Sequence, residues 1–152
     1  MKHKPLPIGV EDFKRLVDNE YYFVDKTLMI KELLENKETV NLFTRPRRFG
    51  KTLNMSMLQR FFEATEKSNA YLFDGLKIAA YPEYMAYQGQ YPVIFLSFAN
   101  VKEGNAEAAK MQMKALIARM YEENRFLLEG NLLSENDIYA TAVDCDEKKN
   151  IL

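Results

Sequence analysis

Gly50, Lys51 and Thr52 close the stretch Thr44-Arg45-Pro46-Arg47-Arg48-Phe49-Gly50-Lys51-Thr52, and this triplet has the residue types a phosphate cradle needs. A glycine lets the backbone approach an anion that a side chain would block. A lysine reaches the β- and γ-phosphates of a nucleotide, and a threonine hydroxyl sits on Mg²⁺. In the pattern G-x-x-x-x-G-K-S/T the first glycine would fall at position 45, where this chain has Arg45 followed by Pro46. The exchange costs backbone freedom and one N–H donor. Arg45, Arg47 and Arg48 add positive charge in return, and guanidinium groups suit phosphate bidentately. A stiffer, more cationic loop than the usual one is expected.

The context such a loop calls for is a strand before it and a helix after it. Thr39-Val40-Asn41-Leu42-Phe43 is short, β-branched and apolar, and reads as a buried strand. After Thr52, Leu53, Met57, Leu58, Phe61 and Phe62 recur at the spacing of one helix face. A helix starting near Gly50 or Lys51 points unpaired N–H groups and its positive dipole end at the loop.

The other elements are read the same way. Val10 to Val17 forms a short helix, and Tyr21-Tyr22-Phe23-Val24 a strand or extended segment. Asp25 is placed to cap a helix from Lys26 to about Asn36. Pro92-Val93-Ile94-Phe95-Leu96-Ser97-Phe98 is nearly continuous in apolar residues, as in a strand covered on both faces. A long helix is expected from Ala106 to Leu128, with Ala109, Met113, Leu116, Ile117, Met120 and Tyr121 inward, and another opening at Ser134. Strands separated by helices predict an α/β fold, a partial P-loop NTPase-like parallel sheet flanked by helices and incomplete at the C-terminus.

With 152 residues and 47% apolar content the chain can bury one ordinary core. A net charge of −1 demands neither nucleic acid nor an anionic membrane. The charge is unevenly placed: Thr39 to Phe62 holds five Arg or Lys and no acid, so the basic pole coincides with the loop. The single cysteine, Cys145, forms no intrachain disulfide and has acidic neighbours that disfavour a thiolate. With neither a signal-peptide core nor an apolar run of membrane-spanning length, a cytoplasmic protein without membrane contact is expected. His3 has no partners at metal spacing, and Met111, Met113 and Met120 read as packing. Asp144-Cys145-Asp146-Glu147-Lys148-Lys149 reads as a solvated tail.

Leu6-Pro7-Ile8-Gly9, Tyr22 through Thr27, Thr44 through Leu58, Phe61-Phe62 and Tyr91 through Phe98 together resemble the bacterial AAA-ATPase-like domain family, over essentially the whole chain. The form Arg-Pro-Arg-Arg-Phe-Gly-Lys-Thr is the most specific part, and it makes Arg45 family-typical. The resemblance implies a P-loop NTPase that binds ATP with Mg²⁺. Its cofactor-binding residues would be Arg45, Pro46, Arg47, Arg48, Phe49, Gly50, Lys51, Thr52 and Leu53, extended to Asp25 and Lys26. Thr52 would hold the metal through its hydroxyl, and Lys51 would stabilise phosphate charge. Many members carry a C-terminal nuclease-like domain of the PD-(D/E)XK type, which implies a nucleic-acid partner through a domain outside this chain; an oligomer is compatible with the sequence.

The resemblance also implies a Walker B strand ending in Asp-Glu, beyond the helix opened at Ser134, and residues 1–152 contain none. The chain therefore reads as the N-terminal part of an AAA-ATPase-like P-loop domain, a piece of a longer protein or a truncated product. Nucleotide binding with little turnover by this chain alone is expected. The competing reading is a non-catalytic module whose Arg-rich loop contacts nucleic acid backbone or a protein partner. Arg47 and Arg48 fit phosphates, a partner surface or plain solvation alike.

Overall fold

Local capping chemistry sets the helix starts. Asp12 lies in extended backbone, and its carboxylate accepts the Arg15 N–H at 2.7 Å, opening α1 (Phe13–Asp18) with Phe13 and Leu16 buried. The second helix, α2 (Leu28–Asn36), buries Ile30 and stops at Lys37, whose φ of 51° is left-handed. Gly50, with φ 74°, precedes α3 (Lys51–Phe62). Two 3₁₀ turns, Ala70–Phe73 and Lys77–Ala80, and the short α4 (Pro82–Met85) follow. The last described helix is α5 (Ala106–Glu123), capped by Asn105 accepting the Ala108 N–H at 2.8 Å. The computed structural model describes residues 3–46, 48–99, 101 and 104–124; the helix expected at Ser134 and the acidic tail lie outside them.

The chain divides into two units, residues 1–93 and 94–152. The core of the first is made where α1 and α3 meet the 3₁₀ turns, from Phe13, Ile30, Met57, Phe61, Leu72, Phe73 and Ile78. Its aromatic rings interlock: Phe73 lies 5.3 Å from Phe13 and 5.1 Å from Phe61, the latter pair edge to face. As the spacing predicts, Met57 and Phe61 are fully buried, with Leu53, Leu58 and Phe62 packed at the core's edge. Polar ties hold α1 to α3. The Phe13 N–H donates to Ser56 Oγ at 3.0 Å, and the Arg60 guanidinium bridges Asp12 at 3.0 Å and Glu63 at 2.8 Å. In the second unit α5 buries Ala118, while Met113, Ile117 and Tyr121, expected to face inward, are exposed.

The expected parallel sheet is not formed. The described residues are helical and turn-rich, and their β-pairing is one isolated parallel bridge between Glu63 and Tyr91. Neither Thr39–Phe43 nor Pro92–Phe98 belongs to a ladder, so the α/β assignment is corrected to a helical fold. Val40 is 78% exposed and Leu42 85%, and Ile94 and Phe98 are each 50% exposed. An apolar run expresses a preference for a pleated, covered surface, but the strand exists only when another strand completes its hydrogen bonds. The described part of the chain supplies these segments with no such partner. Tyr21–Val24 is likewise extended without a ladder, held by the Tyr22 N–H donating to the Pro5 carbonyl at 2.8 Å. No described helix is long and apolar enough to cross a membrane.

Candidate phosphate-binding site

Gly50 fixes the geometry of the loop-to-helix junction. Its left-handed φ of 74° is strained for any residue with a Cβ, and nothing lies within 4 Å of where that Cβ would stand. Conformation, not crowding, therefore calls for glycine here, and the space over its backbone is open. Arg48 also takes a left-handed φ, 68°, a conformation a side-chain-bearing residue adopts only when its surroundings hold it there. Within α3 the Asn54 N–H donates to the Gly50 carbonyl at 2.9 Å. The N–H groups of Lys51, Thr52 and Leu53 precede that first bond and point out of the helix end.

The side chains around this end divide into two groups. Arg45, Pro46 and Lys51, with Phe43 and Thr44, border an open concavity of about 530 Å³. Lys51 is exposed, and its Nζ donates to the Arg45 carbonyl at 2.7 Å, closing the loop on itself. Thr52 and Phe49 are exposed beside it. Arg47 lies outside the described residues. Leu53, half-buried, turns to a second cavity of about 180 Å³, shared with Pro7, Tyr22, Phe23, Val24, Lys26, Gly50 and Asn54. Arg45, Pro46, Gly50, Lys51 and Leu53 thus border cavities at one helix end, with Lys26 lining the second of them.

Just before α2, whose assigned N-cap Thr27 makes no side-chain capping bond, Asp25 serves the protein's own donors. Its Oδ1 accepts the Thr27 N–H at 2.9 Å and the Thr27 hydroxyl at 2.6 Å, and its Oδ2 accepts the Lys77 N–H at 2.7 Å. Thr27, fully buried, accepts the Ile78 N–H on the same hydroxyl at 3.2 Å. Partial burial pushes the Asp25 carboxyl up, but donation from Thr27 and Lys77 outweighs it and leaves the group below its ordinary value. Asp25 is a clasp between the segment before α2 and the second 3₁₀ turn. Spacing alone does not single out Tyr22 or Asn54; the usable signal is the alternation in which Tyr22, Val24 and Lys26 face out while Thr27 is buried.

Among the described residues no three His, Cys, Asp or Glu side chains converge to hold a metal. A Mg²⁺ ion needs no such cage, because it binds through few protein oxygens and keeps phosphate and water ligands. The donor set at the α3 end, outward N–H groups with an ammonium and a hydroxyl, fits a magnesium-bound phosphate chain in chemical type.

Comparison with known proteins identifies a family. The profile of the family described as predicted AAA-ATPase, AAA-ATPase-like, matches residues 7–147. An uncharacterized protein in the vnfD 5′ region of Azotobacter chroococcum mcd 1 is 35% identical over 135 residues, covering 82% of this chain. The chain spans about a quarter (25%) of that relative's length. No solved structure matches. With most of its length under the family profile, the chain belongs to the predicted AAA-ATPase family.

Proposed function

We propose that this chain binds ATP with Mg²⁺ through a variant Walker A loop, Arg45 to Thr52. The observation that carries the reading is the left-handed Gly50 at the head of α3, with Lys51 and Thr52 as the first helical residues and both exposed. A phosphate chain at this end meets outward N–H groups and the positive end of the helix dipole. Lys51 leaves the Arg45 carbonyl and neutralises the β- and γ-phosphates. The Thr52 hydroxyl would hold the metal. The metal supplies charge neutralisation across those phosphates. Arg45 and Arg48, both exposed, add long-range attraction for the anion.

Isothermal titration of MgATP into the wild type and Lys51→Ala tests the assignment. Saturable binding that the variant loses by about tenfold or more, the scale of one charge-assisted contact, is expected. Equal binding by both proteins contradicts it. Salt-sensitive DNA binding that MgATP leaves untouched would favour the Arg-rich loop as a backbone-contacting module instead.

A further inference from the structure

Two left-handed positions lie between Arg45 and Lys51: Arg48 at φ 68° and Gly50 at φ 74°. Glycine adopts that conformation freely, but at Arg48 the Cβ crowds the backbone and something must keep it there. The bond from Lys51 Nζ to the Arg45 carbonyl, 2.7 Å long, encloses both positions. Among the described residues no other hydrogen bond crosses this loop. Lys51 has no carboxylate rival nearby in the chain, because Thr39 to Phe62 contains no acid. Pro46 prepares the acceptor. A proline disfavours helical backbone at the residue before it, so Arg45 is pushed toward extended geometry and the direction of its carbonyl is narrowed. Pro46 also locks its own φ, which removes one freedom from the loop. The Arg-Pro pair standing where a glycine would start the pattern thus supplies the acceptor and stiffens the link to it.

We propose that Lys51 straps the empty loop onto the Arg45 carbonyl, and that a polyphosphate anion opens the loop by drawing Lys51 away. The second half rests on the phosphate reading above and extends it from binding to a change of loop state. A charged phosphate oxygen is a stronger acceptor for an ammonium than a neutral carbonyl, so the lysine follows the anion. With the strap gone, no hydrogen bond among the described residues spans Arg45 to Lys51, and Arg48 relaxes from left-handed backbone. Occupancy of the site is thereby converted into a change at Arg48 and Phe49, the exposed residues between the ends of the strap. The two loop states differ in the partner of one ammonium, which is the differential contact a ligand-driven shift requires.

The Arg45 carbonyl reports the strap directly, because its carbon is bonded to the Pro46 nitrogen and stands among the few proline-linked carbonyls of the chain. Carbon-detected spectra of the wild type and Lys51→Met are compared, alone and with magnesium tripolyphosphate, while calorimetry on the same samples records binding. Lys51 is exposed, so methionine keeps the stem, removes the donor and leaves the core untouched. Without ligand, Lys51→Met is expected to move the Arg45 carbonyl upfield, as loss of a hydrogen-bond donor does. Magnesium tripolyphosphate is expected to move it the same way in the wild type and to leave it in place in Lys51→Met. Trypsin digestion without ligand gives a second reading. Cleavage at Arg48–Phe49 is expected to be about fivefold faster in Lys51→Met and in Pro46→Ala, the scale of one net hydrogen bond. Cleavage after the exposed Lys67 is expected to stay unchanged. An identical ligand-free Arg45 carbonyl in the two proteins, or unchanged cleavage at Arg48–Phe49 in both variants, overturns the strap and leaves the phosphate site standing. Calorimetric binding by the wild type with an unmoved Arg45 carbonyl overturns the opening alone. Absence of binding by the wild type overturns the phosphate site and the opening with it, while the ligand-free measurements still decide the strap.

Discussion

Along its C-terminal half, α3 presents Met57 and Phe61 to a core of interlocked rings, and Arg60 and Glu63 to partners on α1 and at Asn69. Its final carbonyls are taken up as well: Phe61 accepts the Gly89 N–H at 2.8 Å and Phe62 the Tyr91 N–H at 3.0 Å. The opposite end has no such cover. Gly50, Lys51 and Thr52 open toward solvent, and Lys51 rests on a carbonyl of its own loop. One helix therefore has a half that the fold uses and a half that the fold leaves available. Substitutions in the two halves should separate stability from ligand binding.

The largest effect on stability belongs to the buried half. Phe61→Ala removes a fully buried ring packed edge to face on Phe62 and Phe73, and should cost about 3–5 kcal/mol in urea unfolding. A loss under about 1 kcal/mol would mean that the ring cluster is looser than this packing implies. Arg60→Met should cost less, about 1–3 kcal/mol, chiefly by leaving the Glu63 carboxylate without its cation in a mostly covered site. At the open end, Gly50→Ala should destabilise by about 1–2 kcal/mol through its left-handed φ alone. Lys51→Ala should fall within about 0.5 kcal/mol of the wild type while losing nucleotide. A large stability loss from Lys51→Ala would erase the contrast between the halves.

A pH series sharpens the same comparison. At Asp12 burial pushes the carboxyl up, but the Arg15 N–H and the Arg60 guanidinium outweigh it and hold it below the ordinary aspartate value, as the Thr27 and Lys77 donors do at Asp25. Folded values below unfolded ones mean that the native state binds fewer protons. Their stabilisation is complete above the ordinary value of 3.8 and is lost as pH falls through the lowered folded values. Urea midpoints should therefore decline in acid, and Asp12→Asn should shallow that decline. An unchanged acid slope in the variant would remove Asp12 from the account.

Local information makes α3 legible in the sequence, because its apolar stripe and the glycine before it lie within a few turns of each other. The starts of α3 and α5 are readable for the same reason, while α1 begins at Phe13, three residues past the expected Val10. The sheet is not. Thr39–Phe43 and Pro92–Phe98 carry the composition of covered strands, yet pairing is a property of two segments, and the described chain holds no second one for either. Asp25 is legible in part: its bonds to Thr27 at the start of α2 are local, whereas its other partner, the Lys77 N–H, lies 52 residues away. The apolar cavity beside Gly50 also joins segments distant in sequence, so only its exposed row at Tyr22, Val24 and Lys26 hints at it.

The central claim is that the open end of α3 is where the phosphates bind. Backbone amide shifts recorded during MgATP titration read that end residue by residue. The account predicts saturable shifts largest at Arg48 to Leu53, absent in Lys51→Ala, with the amides from Met57 to Phe62 little changed. Shifts centred elsewhere, or an identical response in Lys51→Ala, would contradict it.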